Sequence, residues 1–175
     1  MDFKQTICEN EEFDRLVSKL AFEIKNTLDV KNLAFVGVKT RGVPLAERLA
    51  KEIKKQTKQV VPVGSIDIAP FRDDNRNVKK AELKGFDFEV ENKHIVVVDD
   101  VLFTGRTMRA AVSGVLAFGR PASVSVCVLC DRPGYLQMPV LARFVGVSLE
   151  TAQDDVVSVS VKEIDKENSV KIYSY

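Results

Sequence analysis

The chain predicts an α/β fold built on a doubly wound parallel sheet, with a flexible flap or hairpin and a C-terminal β-hairpin. Three observations carry that prediction. Two short runs, LAFVGV at 33–38 and IVVV at 95–98, are apolar throughout and rich in β-branched residues, as in strands buried on both faces. Each run leads through a short turn into a stretch with helical spacing, which is the βα rhythm of a parallel sheet. Near the end, residues 156–164 and 170–173 are separated by the polar residues Asp165, Lys166, Glu167 and Asn168, the pattern of a hairpin.

Taken in order, Asn10 supplies a capping side chain, Glu11 and Glu12 an acidic first turn. Phe13, Leu16, Val17, Leu20, Ile24 and Leu28 then follow at helical spacing. The first buried strand, 33–38, runs into Lys39, Thr40, Arg41 and Gly42, and Pro44 starts a helix with Leu45, Leu49 and Ile53 on one face. Residues 60–68 read as a second strand. From 69 to 92 the periodicity fails and charge takes over, with Arg72, Asp73, Asp74, Arg76, Lys79 and Lys80. A stretch of that length in a compact domain is a functional flap or a hairpin. The strand 95–98 ends in Asp99 and Asp100, and the helix after it carries Met108, Ala111, Val112 and Val115. Residues 122–129 form a further strand, and Phe144, Val145 and Gly146 close the sheet. This order implies right-handed crossovers in a single domain spanning 1–175.

Bulk properties narrow the function. A net charge of +1 marks no global nucleic-acid field, 45% hydrophobic and 29% charged residues are ordinary for a globular protein, and three cysteines suit a reducing cytoplasm. Neither a membrane-spanning run nor a signal-peptide pattern is present, so a cytoplasmic location is expected. Cys127 and Cys130 have CxxC spacing but lie within a strand pattern, where residues three apart face opposite ways, so they read as buried thiols. Cys8 carries no signal. His94, the sole histidine, reads as a surface residue and rules out a His-rich zinc site. Arg48, Lys51, Lys54, Lys55 and Lys58 read as a solvated helix face.

The informative stretch is VVVDDVLFTGRTM, residues 96–108. Ligands bind open α/β sheets at the carboxyl ends of strands. The backbone N–H groups of the turn, the hydroxyls of Thr104 and Thr107 and the following helix N-terminus can hold a phosphate. The carboxylates Asp99 and Asp100 beside it fit hydroxyls, or a cation that travels with the phosphate. A phosphorylated sugar with Mg²⁺ has all three features.

This stretch resembles the phosphoribosyl pyrophosphate (PRPP) loop of type I phosphoribosyltransferases, and its long form is most similar to the PyrR branch, pyrimidine-operon attenuators that often also act as uracil phosphoribosyltransferases. The likeness extends over nearly the whole chain. VGVKTRG (36–42) is similar to the family's pyrophosphate loop, although the same residues suit a plain βα turn; GSIDI (64–68) with FRDD (71–74) resembles its strand and flap. The resemblance implies the type I phosphoribosyltransferase fold and the reaction of uracil with PRPP to give UMP and pyrophosphate, with Mg²⁺. It implies a PRPP site of Val96, Val97, Val98, Asp99, Asp100, Val101, Leu102, Phe103, Thr104, Gly105, Arg106 and Thr107. Lys39, Thr40, Arg41 and Gly42 would bind pyrophosphate, and Asp99, Asp100, Arg41 and Arg72 would carry the catalysis.

Base recognition is implied for Phe103 and for the strand backbone at Phe144, Val145 and Gly146. Purine-using relatives often carry an acidic residue where Phe103 stands, which argues for a pyrimidine. The family also implies a homodimer or higher homo-oligomer and pyr mRNA as a partner. RNA-binding members usually read GHRELPIR after the Asp-Arg pair; here an added Pro133 precedes GYLQMPVL, so Tyr135, Leu136 and Leu141 replace a histidine and two arginines. Phe22 likewise stands where regulators tend to carry histidine. Lost cations weaken phosphate and base contacts, so the enzyme reading leads, with an mRNA-binding attenuator or a transferase for another base as alternatives.

Overall fold

The computed structural model describes residues 1–72 and 85–175. The flap residues Asp73, Asp74, Arg76, Lys79, Lys80 and Lys84 lie outside them.

Strand β1 (Asp2–Glu9) leads directly into helix α1 (Asn10–Thr27), followed by β2 (Leu33–Val38), α2 (Gly42–Thr57) and β3 (Val63–Ile66). Later in the chain come β4 (His94–Leu102), α3 (Arg106–Leu116), β5 (Ser123–Asp131) and β6 (Phe144–Ser148), then β7 (Val156–Ser160), the short α4 (Lys162–Asp165) and β8 (Ser169–Ser174). The five central strands form a parallel sheet in the order β3-β2-β4-β5-β6. The expected terminal hairpin is present as β7 and β8, although its first strand ends at Ser160 and residues 162–165 turn into α4 instead of continuing it; β1 pairs antiparallel with β8 to make a second sheet ordered β1-β8-β7.

Side-chain alternation on β4 divides the core. Val96 and Val98 pack with Phe13, Val17 and Leu20 of α1 and Leu45, Leu49 and Ile53 of α2. Ile95 and Val97 pack on the other face with Met108, Ala111 and Val115 of α3. All six residues of β2 are buried, as its unbroken apolar run requires. Burying Leu33, Phe35, Val36 and Val38 contributes roughly 1.5–3 kcal/mol each relative to leaving them in water.

Several expectations are corrected. Strand β1 has no legible pattern because most of its residues are exposed and only Cys8 is buried; pairing with β8 makes it a strand. Asn10 does not cap α1: no side chain does. With φ 44° it turns the chain straight from β1 into the helix, and its N–H donates to the Asn168 carbonyl at 3.1 Å. Strand β4 continues past both aspartates to Leu102, because β5 keeps pairing with it, Val101 opposite Cys130 and Leu102 opposite Asp131. His94 is half-buried, its Nδ1 2.8 Å from the Ser123 hydroxyl. Arg48 is not on a solvated face: its Nε and one terminal nitrogen donate to Glu163 at 2.8 and 2.6 Å.

Candidate active site

Strand β2 sends its crossover to β3 on one side, whereas β4 sends its own to β5 on the other. The two strands are neighbours, with Gly37 opposite Val98. Their carboxyl ends therefore flank the point where the strand order reverses, the place an open α/β sheet offers a ligand.

After β4, Phe103, Thr104 and Gly105 turn the chain into α3. Gly105 takes a left-handed conformation, φ 80°, that suits glycine, and a Cβ there would meet Met138 Cβ at 3.3 Å and Leu136 Cδ2 at 3.4 Å. The first N–H groups of α3 have no partner inside the helix and present positive charge at this turn. The turn is buttressed from outside by the 135–138 segment. The Gln137 N–H donates to the Thr104 carbonyl at 2.9 Å, and Arg106 Nε donates to Gln137 Oε1 at 3.0 Å. Tyr135 is half-buried and turns inward, its hydroxyl donating to the Thr151 carbonyl, whereas Leu136 is exposed. Leu141 and Phe22 are exposed.

After β2, Lys39 and Thr40 are joined by a cis peptide, and Gly42 opens α2. A Cβ on Gly42 would fall 2.2 Å from the Val98 carbonyl oxygen, so only glycine lets α2 come this close to β4. The Arg41 side chain forks onto Asp165, Nε to Oδ2 at 3.0 Å and a terminal nitrogen to Oδ1 at 2.8 Å. Hydrogen bonding to Asp165 chiefly, with the Asp165 and Asp100 charges, raises the Arg41 pKa.

The two aspartates differ. Asp99 is 8% exposed; burial above all, and then the charge of Asp100, push its carboxyl well above the usual carboxylate range. Its Oδ1 accepts the Asp100 N–H at 2.9 Å. Asp100 is half-exposed and accepts the Val101 N–H at 2.8 Å. Among the described residues no group of three or more His, Cys, Asp or Glu could hold a metal. Asp99 and Asp100 are the carboxylates that the end of β4 offers to a cation.

Phe103 is half-buried, with the buried Arg132 guanidinium 4.0 Å from its ring centroid and the Tyr135 ring centroid 5.3 Å away. On β6 the Phe144 ring lies in the core, while the Val145 and Gly146 carbonyls accept from Lys19 Nζ at 3.3 and 3.1 Å. Arg72 follows the helical turn at residues 69–71, and Arg109 of α3 donates to the Phe71 carbonyl at 3.0 Å. Asp165, Arg132 and Lys19 escaped the sequence reading because they touch the site from remote segments with no motif of their own.

The glycine turn after β4 and the Lys39–Gly42 loop after β2 thus lie on adjacent strand ends, and a family model described as Phosphoribosyl transferase domain matches residues 5–164. The chain is 41% identical over 177 residues to the bifunctional protein PyrR of Clostridium novyi (strain NT), covering 99% of each. It is 43% identical over 164 residues to the bifunctional protein PyrR 1 of Lactiplantibacillus plantarum, covering 90% of this chain and 91% of that one. The chain belongs to the PyrR family of phosphoribosyltransferases. In fold it resembles a hypoxanthine-guanine phosphoribosyltransferase from Bacillus anthracis, with a TM-score of 0.75 at 19% identity, covering 100% of both chains.

Proposed function

We propose that the protein is a uracil phosphoribosyltransferase, making UMP and pyrophosphate from uracil and Mg²⁺-bound PRPP. The observation that carries this reading is the pairing of the 103–107 turn with the 39–42 loop across adjacent strands, with an aromatic residue at 103. Thr104, Gly105, Arg106 and Thr107, with the α3 N-terminus, hold the 5′-phosphate. Asp100 holds the ribose hydroxyls or the waters of the Mg²⁺ that arrives with PRPP, and buried Asp99 fixes the backbone beneath it. Lys39, Thr40, Arg41 and Arg72 stabilise the pyrophosphate as its bond to the anomeric carbon breaks and charge develops on the leaving oxygen. Uracil N1 bonds to the same carbon, beside Phe103 and the end of β6, as pyrophosphate departs and the N1 proton passes to solvent. Most of the rate gain is positioning and charge stabilisation.

A radiolabelled-uracil assay with PRPP and Mg²⁺ tests this, alongside the Asp99→Asn/Asp100→Asn double variant. UMP formation that collapses in the variant supports the reading; no product from uracil, hypoxanthine, guanine or orotate sinks it.

The shared likeness to bifunctional PyrR proteins favours a second role, UMP-sensitive binding of pyr mRNA. Its check is a gel shift with pyr leader RNA, with and without UMP. Exposed Leu136 and Leu141 support assembly as a homodimer, which sedimentation would measure, and three free, buried thiols suit a cytoplasmic setting. No helix among the described residues is long and apolar enough to cross a membrane.

A further inference from the structure

Two arginines of the α2 segment reach across to one turn of the β7–β8 hairpin. Arg41, the residue that caps α2, forks onto Asp165. Arg48, two turns further on, forks onto Glu163 and also donates to the Asn168 side chain at 2.8 Å. The partners are separated by more than a hundred positions in sequence. Asp165 is itself held: its Oδ2 accepts the Val161 N–H at 2.8 Å, and it ends the α4 turn.

A guanidinium on a flexible stem loses rotamer freedom when it grips an anion, and a forked carboxylate partner can remove that cost in advance. Of its five N–H groups, Asp165 engages two, leaving three for another acceptor. We propose that Asp165 is a positioning residue for the transfer reaction, holding Arg41 at the 39–42 loop so that the pyrophosphate of PRPP meets a guanidinium already aimed. This role rests on the phosphoribosyltransferase reading above. Glu163 and Arg48 anchor the same turn without touching Arg41, which supplies an internal control.

The experiment compares the full-length protein with Asp165→Asn, Asp165→Glu and Glu163→Gln, reading PRPP and uracil kinetics together with direct pyrophosphate binding by calorimetry. Asparagine can still accept the Val161 N–H but loses the charged fork. Asp165→Asn is expected to raise the PRPP KM and the pyrophosphate Kd about 10-fold, the scale of lost outer-shell support. Its kcat stays within about twofold and its uracil KM is unchanged. Asp165→Glu restores part of the loss, and Glu163→Gln leaves all these constants as they were. Should Asp165→Asn fail to fold, Asp165→Ser keeps a short acceptor for Val161 and carries the same expectation. Unchanged or tighter PRPP and pyrophosphate binding on losing Asp165, or an equal loss in Glu163→Gln, overturns the proposal. A wild-type protein that binds pyrophosphate but makes no UMP would instead overturn the reaction assigned above.

Discussion

The guanidinium of Arg132 stands 4.0 Å from the centroid of the Phe103 ring, and it is held there by two further bonds. Its Nε donates to Thr151 Oγ1 and a terminal nitrogen to the Ala152 carbonyl, both at 2.9 Å. Burial lowers its pKa from the usual value, but an arginine so placed stays charged at any working pH.

Arg132→Leu is expected to destabilise the fold by roughly 2–4 kcal/mol, from two lost charge-assisted hydrogen bonds and a desolvated cation–π contact. Urea unfolding measures this. Arg132→Lys recovers little, because an ammonium cannot fork and stack at once. With Phe103 released, the uracil KM should rise more than the PRPP KM.

The two aspartates should separate by mutation. Asp100→Asn is expected to lower kcat by roughly 10²–10³, the scale for a group facing developing charge. Asp99→Asn should cost about 10-fold, as a support that its amide oxygen can still provide to the Asp100 N–H.

Stability should also report the burial of Asp99. A carboxyl raised by burial binds its proton more tightly in the folded state, so it lowers stability as pH climbs from the ordinary carboxyl range through the raised value. Asp99→Asn should therefore flatten the fall in stability across that window and be neutral or stabilising above it. Urea midpoints from pH 4 to 8 check the sign.

Gly42→Ala is expected to cost about 1–3 kcal/mol, toward the upper end, because the atoms its Cβ would strike are backbone and cannot rotate away. PRPP affinity should fall with it, since α2 and the 39–42 loop must retreat from β4.

The three thiols should resist modification. Burial chiefly, with the Glu12 charge, pushes Cys8 up to about 11, and burial raises Cys127 and Cys130 further. A thiol reagent at pH 8 should count almost none in the native protein and three in denaturant, with Cys8 reacting first.

The central sheet was readable because β2, β4 and β5 are buried on both faces, where burial leaves a continuous apolar run. The turn at Gly105 was readable because a left-handed glycine between Thr104 and Thr107 is local chemistry. Strand β1 was not, since a mostly exposed strand has no apolar rhythm and exists through its partner β8. The burial of Asp99 was hidden for a related reason: the strand continues because β5 continues beside it. Arg48 looked solvated because helical spacing cannot reveal a hairpin arriving from 115 residues away.

The contact of Gly42 with the Val98 carbonyl has a metric consequence. Backbone meeting backbone leaves little play, so the 39–42 loop is held against the end of β4 like one fixed jaw of a caliper. On the reaction proposed above, a sugar with phosphate groups at both ends would fill this jaw and the 103–107 turn at once. A lone phosphate or pyrophosphate would occupy one of them, so length as well as charge would select the ligand.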